Sequence, residues 1–490
     1  MVAAAFALAL PRRKEVILAA MKIRLAALLL LGAVLAAPPL FGYGVLSHEE
    51  LIDIAWDSDI RPALLKRFPE ADPDQIKQAH AYAYGGSAIQ DLGYYPFGNH
   101  EFTNLLHYVR TGDFVAWMLR DARNINDYAF ALGALSHYAA DIWGHPSVNV
   151  GVGIEYPNLR ERFGPIVSYE QNPDAHLKTE FSFDVVQVAK KRYISKQYHD
   201  FIGFQVSEDL LERAFEDTYG LKLDELLHFD DLTIATYRFA VSHVIPEMTQ
   251  VALATRKDKI QVEKNDAARQ QFLYHLSRAD YERDFGSKYR KPGVFARILG
   301  FFLRVIPKFG PFKSLGYRDP TAQTEDLYFK SMDNVVDQYH RLVQKVNAGD
   351  PNFPNRNLDT GAVTRAAQYK LADETYSQLA RHIAHNHFAL TTPALKANIL
   401  EYFASGPAQH NIKPREWRNT QAALTELKSA TGQTLDLGPQ TSDLDTLRKV
   451  YTLLDVSTGE VADELFGAPV SRGCEVFPPV DILVPSPRGS

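Results

Sequence analysis

The chain has 490 residues, 46% of them hydrophobic, and a single cysteine, Cys474, so it has room for two or three domains and has no internal disulfide. Its formal charge of −6 disfavours a nonspecific nucleic-acid binder, although a local basic groove stays compatible with it. Apolar and polar residues nowhere alternate over a useful length, which excludes an all-β fold and predicts a mostly α architecture.

In chain order, Met21-Lys22-Ile23-Arg24 and the apolar run Leu25 to Ala37 have the layout of a secretory signal, with residues 1–20 as an upstream extension and Met21 as the start. The competing reading is a permanent anchor; the run is short for a membrane span, and Pro38-Pro39 favours processing nearby. Removing residues 1–42 leaves 48 basic against 58 acidic residues, a balance of −10, in a protein expected to be secreted or periplasmic. Ser47 is placed to cap a helix from His48, with Glu49 and Glu50 in its first turn. Taken alone, His48 reads as a surface or capping residue. A short helix over 74–82 leads into a glycine-rich stretch in which Asp91 lies between Gly86 and Gly93, where backbone and side chain approach a ligand closely. His100 and His107 both follow within reach of Asp91, and residue type does not choose between them. A helix over 113–124 comes next.

The central stretch is Ala131 to Pro146. His137, Asp141 and His145 recur every four residues in an otherwise apolar run. Each such step on a helix advances about 40° past a full turn, so the first two share a face. Gly144 and Pro146 predict a helix end near Trp143, leaving His145 on the following turn. The spacing suits metal ligands; a buried, hydrogen-bonded core pair is the alternative. A long connection punctuated by Tyr156-Pro157 and Gly164-Pro165 leads to a helix with His176 and Glu180 one turn apart.

Three amphipathic helices are expected over 207–275. In 291–313, Phe295, Ile298, Phe302 and Val305 form one stripe and Arg297, Arg304 and Lys308 another side. The segment is too short and charged to span a bilayer, and either lies on a membrane surface or packs on the core. Polar helices are expected over 322–347, 361–386, 393–404 and 416–430. His382, His385 and His387 lack an acidic partner at ligand spacing and read as a solvated face. The tail 476–490 reads as disordered.

Together, His48, Asp91, His107, His137, Asp141, His145, His176 and Glu180 form an ordered donor set that resembles the zinc-dependent phospholipase C family. Relatives of that family include single-strand-specific zinc nucleases and the catalytic domain of glycosylphosphatidylinositol-specific phospholipase D. The resemblance covers roughly residues 43–250 and implies a multi-helix bundle holding three zinc ions, with an additional helical C-terminal region here. It implies Asp91, His107, His137 and Asp141 on one zinc, and His145, His176 and Glu180 on a second. The third would take the Tyr43 amine and carbonyl, His48, and Asp141 as a bridge, which requires cleavage immediately before Tyr43. Leu106-His107-Tyr108 is similar to the family's His-aromatic pattern and favours His107 over His100. Two features depart from the toxin-type phospholipases and the nucleases: His145 follows Asp141 by four residues, as in the glycosylphosphatidylinositol-specific relative, and Tyr43 replaces a tryptophan. The β-propeller of that relative has no counterpart in 320–490.

The implied layout is a leader over 1–42, a zinc-dependent phosphodiesterase domain over 43–290, the basic amphipathic segment over 291–318, a helical region over 319–475 and the tail. The implied activity is phospholipase C-type hydrolysis of a phospholipid head-group diester, with Asp91 orienting or deprotonating the attacking water. Imidazole and carboxylate without thiolate suit zinc, with manganese and iron also compatible. A nuclease or soluble phosphodiesterase on the same cluster, and a non-catalytic structural zinc protein, are the alternatives. Tyr94, Tyr95 and Trp143 lie near ligands in sequence and line either the pocket or the core.

Overall fold

The computed structural model describes residues 44–189, 204–228, 230–241 and 317–430. The leader, Tyr43, the 291–313 segment and the tail lie outside them. Helix α1 (Val45–Ala55) passes through a π turn at Trp56–Ile60 into α2 (Arg61–Arg67), and α3 (Pro73–Gly86) leads into a 3-10 turn at Ile89–Tyr94. There follow α4 (His100–Tyr108), α5 (Thr111–Asp121), α6 (Ile125–Glu155), α7 (Pro157–Phe163) and α8 (Pro173–Ala189). After them come α9 (Glu208–Tyr219), α10 (Leu223–Leu226), α11 (Asp230–Phe239), α12 (Ala322–Asn347), α13 (Lys370–His385), α14 (Pro393–Ala404) and α15 (Pro414–Ser429). Extended pairing among the described residues is limited to one bridge between Arg356 and Val363, and the fold is all-α as expected. No described helix is long and apolar enough to cross a membrane.

Local chemistry sets the helix starts. Asp72 accepts from Gln75 N while the Gln75 side chain accepts from Asp72 N, a capping box with Pro73 in the first turn of α3. Asn124 caps α6 by accepting from the backbone N–H groups of Asn126 and Asp127. From Tyr128 through Ile142 every residue of α6 is buried, so this helix is apolar all round and is enclosed by its neighbours. On one side α3 crosses it at two glycines: a Cβ at Gly133 would lie 2.2 Å from Ala83 O, and one at Gly86 2.0 Å from Phe130 O. On another, α12 lies along it, with Tyr339 Oη donating to Leu132 O at 3.0 Å. A strap between α12 and α13 then runs over the α5–α6 junction, where Tyr138 Oη donates to Pro354 O at 2.6 Å and Gly112 N donates to Asn355 Oδ1 at 3.0 Å. Buried side chains of 317–430 and of 45–241 thus belong to one hydrophobic core.

Several sequence expectations are corrected. The helix predicted to stop near Trp143 continues to Glu155 with Pro146 inside it. Pro146 has no N–H for the Ile142 carbonyl, but Gly361 of the strap, at φ +70, fits so closely there that a Cβ would sit 2.4 Å from Ile142 O. The strap therefore packs closely on the carbonyl that the proline leaves without its helical donor, and the 145–176 connection shrinks to α7 and short loops. Helix α1 begins at Val45, before Ser47, and has no acidic residue in its first turn. Its free N–H groups are satisfied instead by Asp184, which accepts from Leu46 N and Ser47 N, each at 3.2 Å. Ser47 Oγ donates to Asp184 Oδ1 at 2.9 Å and meets Tyr328 Oη at 2.6 Å. The helix expected from 361 starts at Lys370, because Asn357 Oδ1 accepts from Asp359 N and Thr360 N and folds 357–361 into an Asx-type turn. His385 and His387 are exposed as expected, whereas His382 pairs with Glu101 of α4 at 2.8 Å, a partner remote in sequence.

Candidate metal centre

The eight described donors converge from five elements and none is more than 2% exposed. His48 comes from α1, Asp91 from the 3-10 turn, His107 from α4, the ladder from α6, and His176 and Glu180 from α8. Asp141 is the hub. Its Oδ1 lies 3.5 Å from both His48 Nε2 and His145 Nε2, and its Oδ2 lies 3.4 Å from His107 Nε2 and 3.1 Å from His137 Nε2. Asp91 Oδ1 is 3.3 Å from His107 Nε2. Glu180 Oε1 is 3.3 Å from His145 Nε2 and 2.7 Å from His176 Nε2. The His48 and His137 rings stack at 4.2 Å. Because α6 does not end at Trp143, His145 stays one turn from Asp141 and reaches both Asp141 and Glu180.

These contacts are not hydrogen bonds. Both carboxylate oxygens of Asp91, Asp141 and Glu180, and Nε2 of His137, are buried with no hydrogen-bond partner among the described residues. Burying such groups without compensation costs several kcal/mol each, so the arrangement calls for a cation. Two ligands about 2.1 Å from a tetrahedral zinc are about 3.4 Å apart; the Asp141 oxygens meet their four imidazole nitrogens at 3.1–3.5 Å. Three groups bring their ligand atoms within 4.8 Å of one another: His48, His137 and Asp141; Asp91, His107 and His137; His145, His176 and Glu180. The donors are imidazole and carboxylate without thiolate, which fits zinc.

Backbone carbonyls orient three of the rings. Nδ1 of His107 meets Thr103 O at 2.8 Å, that of His137 meets Ser87 O at 2.9 Å, and that of His145 meets Leu358 O at 3.1 Å. A carbonyl only accepts, so Nδ1 carries the proton and the Nε2 lone pair faces the other donors. Without metal, the same groups interact strongly with one another. Burial alone would raise the Asp141 carboxyl, yet His137 and His145 outweigh it and hold the group well below the usual carboxylate range. Burial depresses His107, and Asp141 and Asp91 more than reverse that. Glu180, where burial dominates over His145, is pushed up to about 8.

Of the two histidines near Asp91, His107 meets its carboxylate, while His100 is exposed and packs edge-on to Tyr94 at 5.4 Å. Tyr94 is half-buried near the rings of His107 and Tyr169, each at 6.4 Å. Tyr95 turns into the core against Tyr237, and Trp143 packs on the core. Tyr43 lies outside the described residues; its neighbour Gly44 abuts Asp184, where a Cβ would be 2.0 Å from Oδ1.

Sequence reasoning missed Asp359 on the strap. It is 4% exposed, and its Oδ1 lies 3.8 Å from His145 Nδ1. No local spacing could reveal it, since its partner Tyr108 is 251 residues away.

Among the described residues, an all-α fold closes around overlapping, buried His/carboxylate groups that could hold metal ions. Residues 47–227, which contain all eight described donors, match the model of the zinc dependent phospholipase C family. The match supports a phospholipase C-type hydrolase in general terms, and the family implies a phospholipid substrate. No curated protein and no solved structure matches the chain.

Proposed function

We propose that the chain is an exported, secreted or periplasmic phosphodiesterase that hydrolyses the head-group phosphodiester of a phospholipid. Three zinc ions would be held by Asp91, His107, His137 and Asp141; by His145, His176 and Glu180; and by His48, Asp141 and the amine and carbonyl of a processed Tyr43. The carrying observation is Asp141, whose two oxygens face four imidazole nitrogens with no hydrogen bond to either. Bound zinc would neutralise the anionic diester, lower the pKa of water and stabilise the departing oxygen.

The residues supply the remainder. Asp141 keeps its negative charge when buried and so fixes the spacing of the groups on either side of it. Asp91, on a short turn, has no hydrogen bond to either carboxylate oxygen among the described residues, which suits it to orient the attacking water and take its proton. Water oxygen bonds to phosphorus, the ester oxygen leaves, and the proton passes finally to the leaving alcohol. The basic stripe of 291–313 would bring the chain to the lipid surface.

Asp91→Asn is the test. Turnover of phosphatidylcholine or phosphatidylinositol should fall by orders of magnitude while most zinc, counted by elemental mass spectrometry, stays bound. Unchanged turnover sinks the role of Asp91. Wild-type hydrolysis of single-stranded DNA or a chromogenic diester without hydrolysis of either lipid sinks the substrate assignment. Metal binding with no hydrolysis at all would leave a structural zinc protein.

A further inference from the structure

The strap between α12 and α13 lies outside the family-matched segment, yet it touches two residues that carry metal donors. Leu358, fully buried, donates its N–H to His107 O at 3.0 Å and accepts from His145 Nδ1 at 3.1 Å through its own carbonyl. One residue thus ties α4 to α6 behind the donor face. Asp359 follows. Its Oδ2 accepts from Tyr108 Oη at 2.7 Å and from Tyr369 Oη at 2.6 Å, its carbonyl accepts from Asn149 Nδ2 at 2.8 Å, and its Oδ1 faces His145 Nδ1 at 3.8 Å. The turn is pinned further by Asn357, whose side chain accepts from Asp359 N at 2.9 Å, and by Gly361 against Ile142 O.

We propose that Asp359 is a positioning residue for the His145, His176 and Glu180 group. Resting on the metal reading above, this makes the C-terminal strap part of the metal centre rather than an appendage to it. The physical reason is the polarity of imidazole. A negative charge behind the Nδ1–H makes Nε2 a better donor, and the Leu358 carbonyl sets the plane of the ring. Both tyrosine hydroxyls donate to this carboxylate, which holds it where that charge acts on His145.

The experiment uses the full processed chain, zinc and cobalt as probes, and the variants Asp359→Asn and Tyr369→Phe. Asp359→Asn keeps the shape and an acceptor for the tyrosines but removes the charge. Competition with a chelator of known affinity should show one zinc bound about 10–100-fold more weakly, the others unchanged. The visible spectrum of bound cobalt should change for that one ion. The melting temperature should fall more in the metal-bound than in the metal-free protein, which a purely structural residue would not produce. Tyr369→Phe loosens the carboxylate without removing it, should weaken the same ion to a lesser degree, and decides the matter if Asp359→Asn fails to fold. Wild-type affinity and an unchanged cobalt spectrum in the variants overturn the proposal while leaving the metal centre standing. Wild-type protein that binds no zinc overturns both.

Discussion

Gly133→Ala tests how helix packing positions the metal donors. The new methyl carbon would sit 2.2 Å from Ala83 O and 3.0 Å from the Gly86 Cα, both parts of the α3 backbone rather than yielding side-chain tips. Helices α3 and α6 must therefore separate by roughly 1 Å, an overpacking that costs about 1–3 kcal/mol. Separation also stretches the 2.9 Å bond from His137 Nδ1 to Ser87 O, just past the end of α3; a bond of this kind contributes about 1 kcal/mol. Against this, alanine is favoured over glycine within a helix by about 1 kcal/mol. The net is a loss of about 1–3 kcal/mol, so the signs of the two readings differ: an uncrowded glycine would give a gain. Urea unfolding of the metal-free protein should show a lower midpoint with an unchanged slope. Zinc affinity at the groups sharing His137 should drop as well. A midpoint equal to or above that of the wild type would refute the close crossing, and with it the account of how Ser87 reaches His137.

Three further outcomes are expected. Glu155 is pushed up to about 8, chiefly by burial, with hydrogen bonds from Thr324 and Thr179 and the Arg318 charge opposing that and Asp319 adding to it. The folded state then keeps a proton that the unfolded chain loses, so stability falls as pH rises between about 4.5 and 8; Glu155→Gln should flatten that slope in urea midpoints, and an unchanged slope argues against a protonated Glu155. His382 is raised above its ordinary value, mainly by the Glu101 carboxylate beside it and against the opposing effect of burial; Glu225 adds to the rise and Arg381 reduces it. Its stabilising contribution is full below about pH 6.5 and fades as pH climbs through the raised value; an NMR titration placing His382 at or below the free-histidine value would contradict the pairing. Chelation should lower the melting temperature, and added zinc should raise it in proportion to the logarithm of its concentration. A melting temperature indifferent to both would speak against bound metal in the folded state.

Helical content was legible because the apolar periodicity is helical and strand alternation is missing, and six of the eight described donors had local spacing or turn chemistry to mark them, His48 and His107 having neither. His137, Asp141 and His145, like His176 and Glu180, are visible as steps of one turn. What the sequence concealed are interactions between distant segments. Pro146 predicts a helix end by the only rule available locally, yet the helix runs on to Glu155, and Gly361, far along the chain, packs on the carbonyl that the proline leaves open. Ser47 looked like a cap, yet the capping carboxylate comes from Asp184. His382 looked solvated, yet Glu101 lies across a helix seam.

The three ring-orienting carbonyls put this in quantitative form. They lie 4, 50 and 213 residues from the histidines they hold. The first is a bond within one helical turn, available to any helix of that sequence. The second depends on the Gly86–Gly133 crossing, and the third on the strap. Donors that share a helix face, His137 with Asp141 and His145 or His176 with Glu180, leave a periodic trace, whereas the groups that aim them need only arrive at one nitrogen from any direction and leave none. A chain cut back to its family-matched residues would keep every described donor and lose the carbonyl that sets the His145 ring. The donor inventory of 47–227 thus identifies the centre, and the geometry of that centre belongs to a longer stretch of chain.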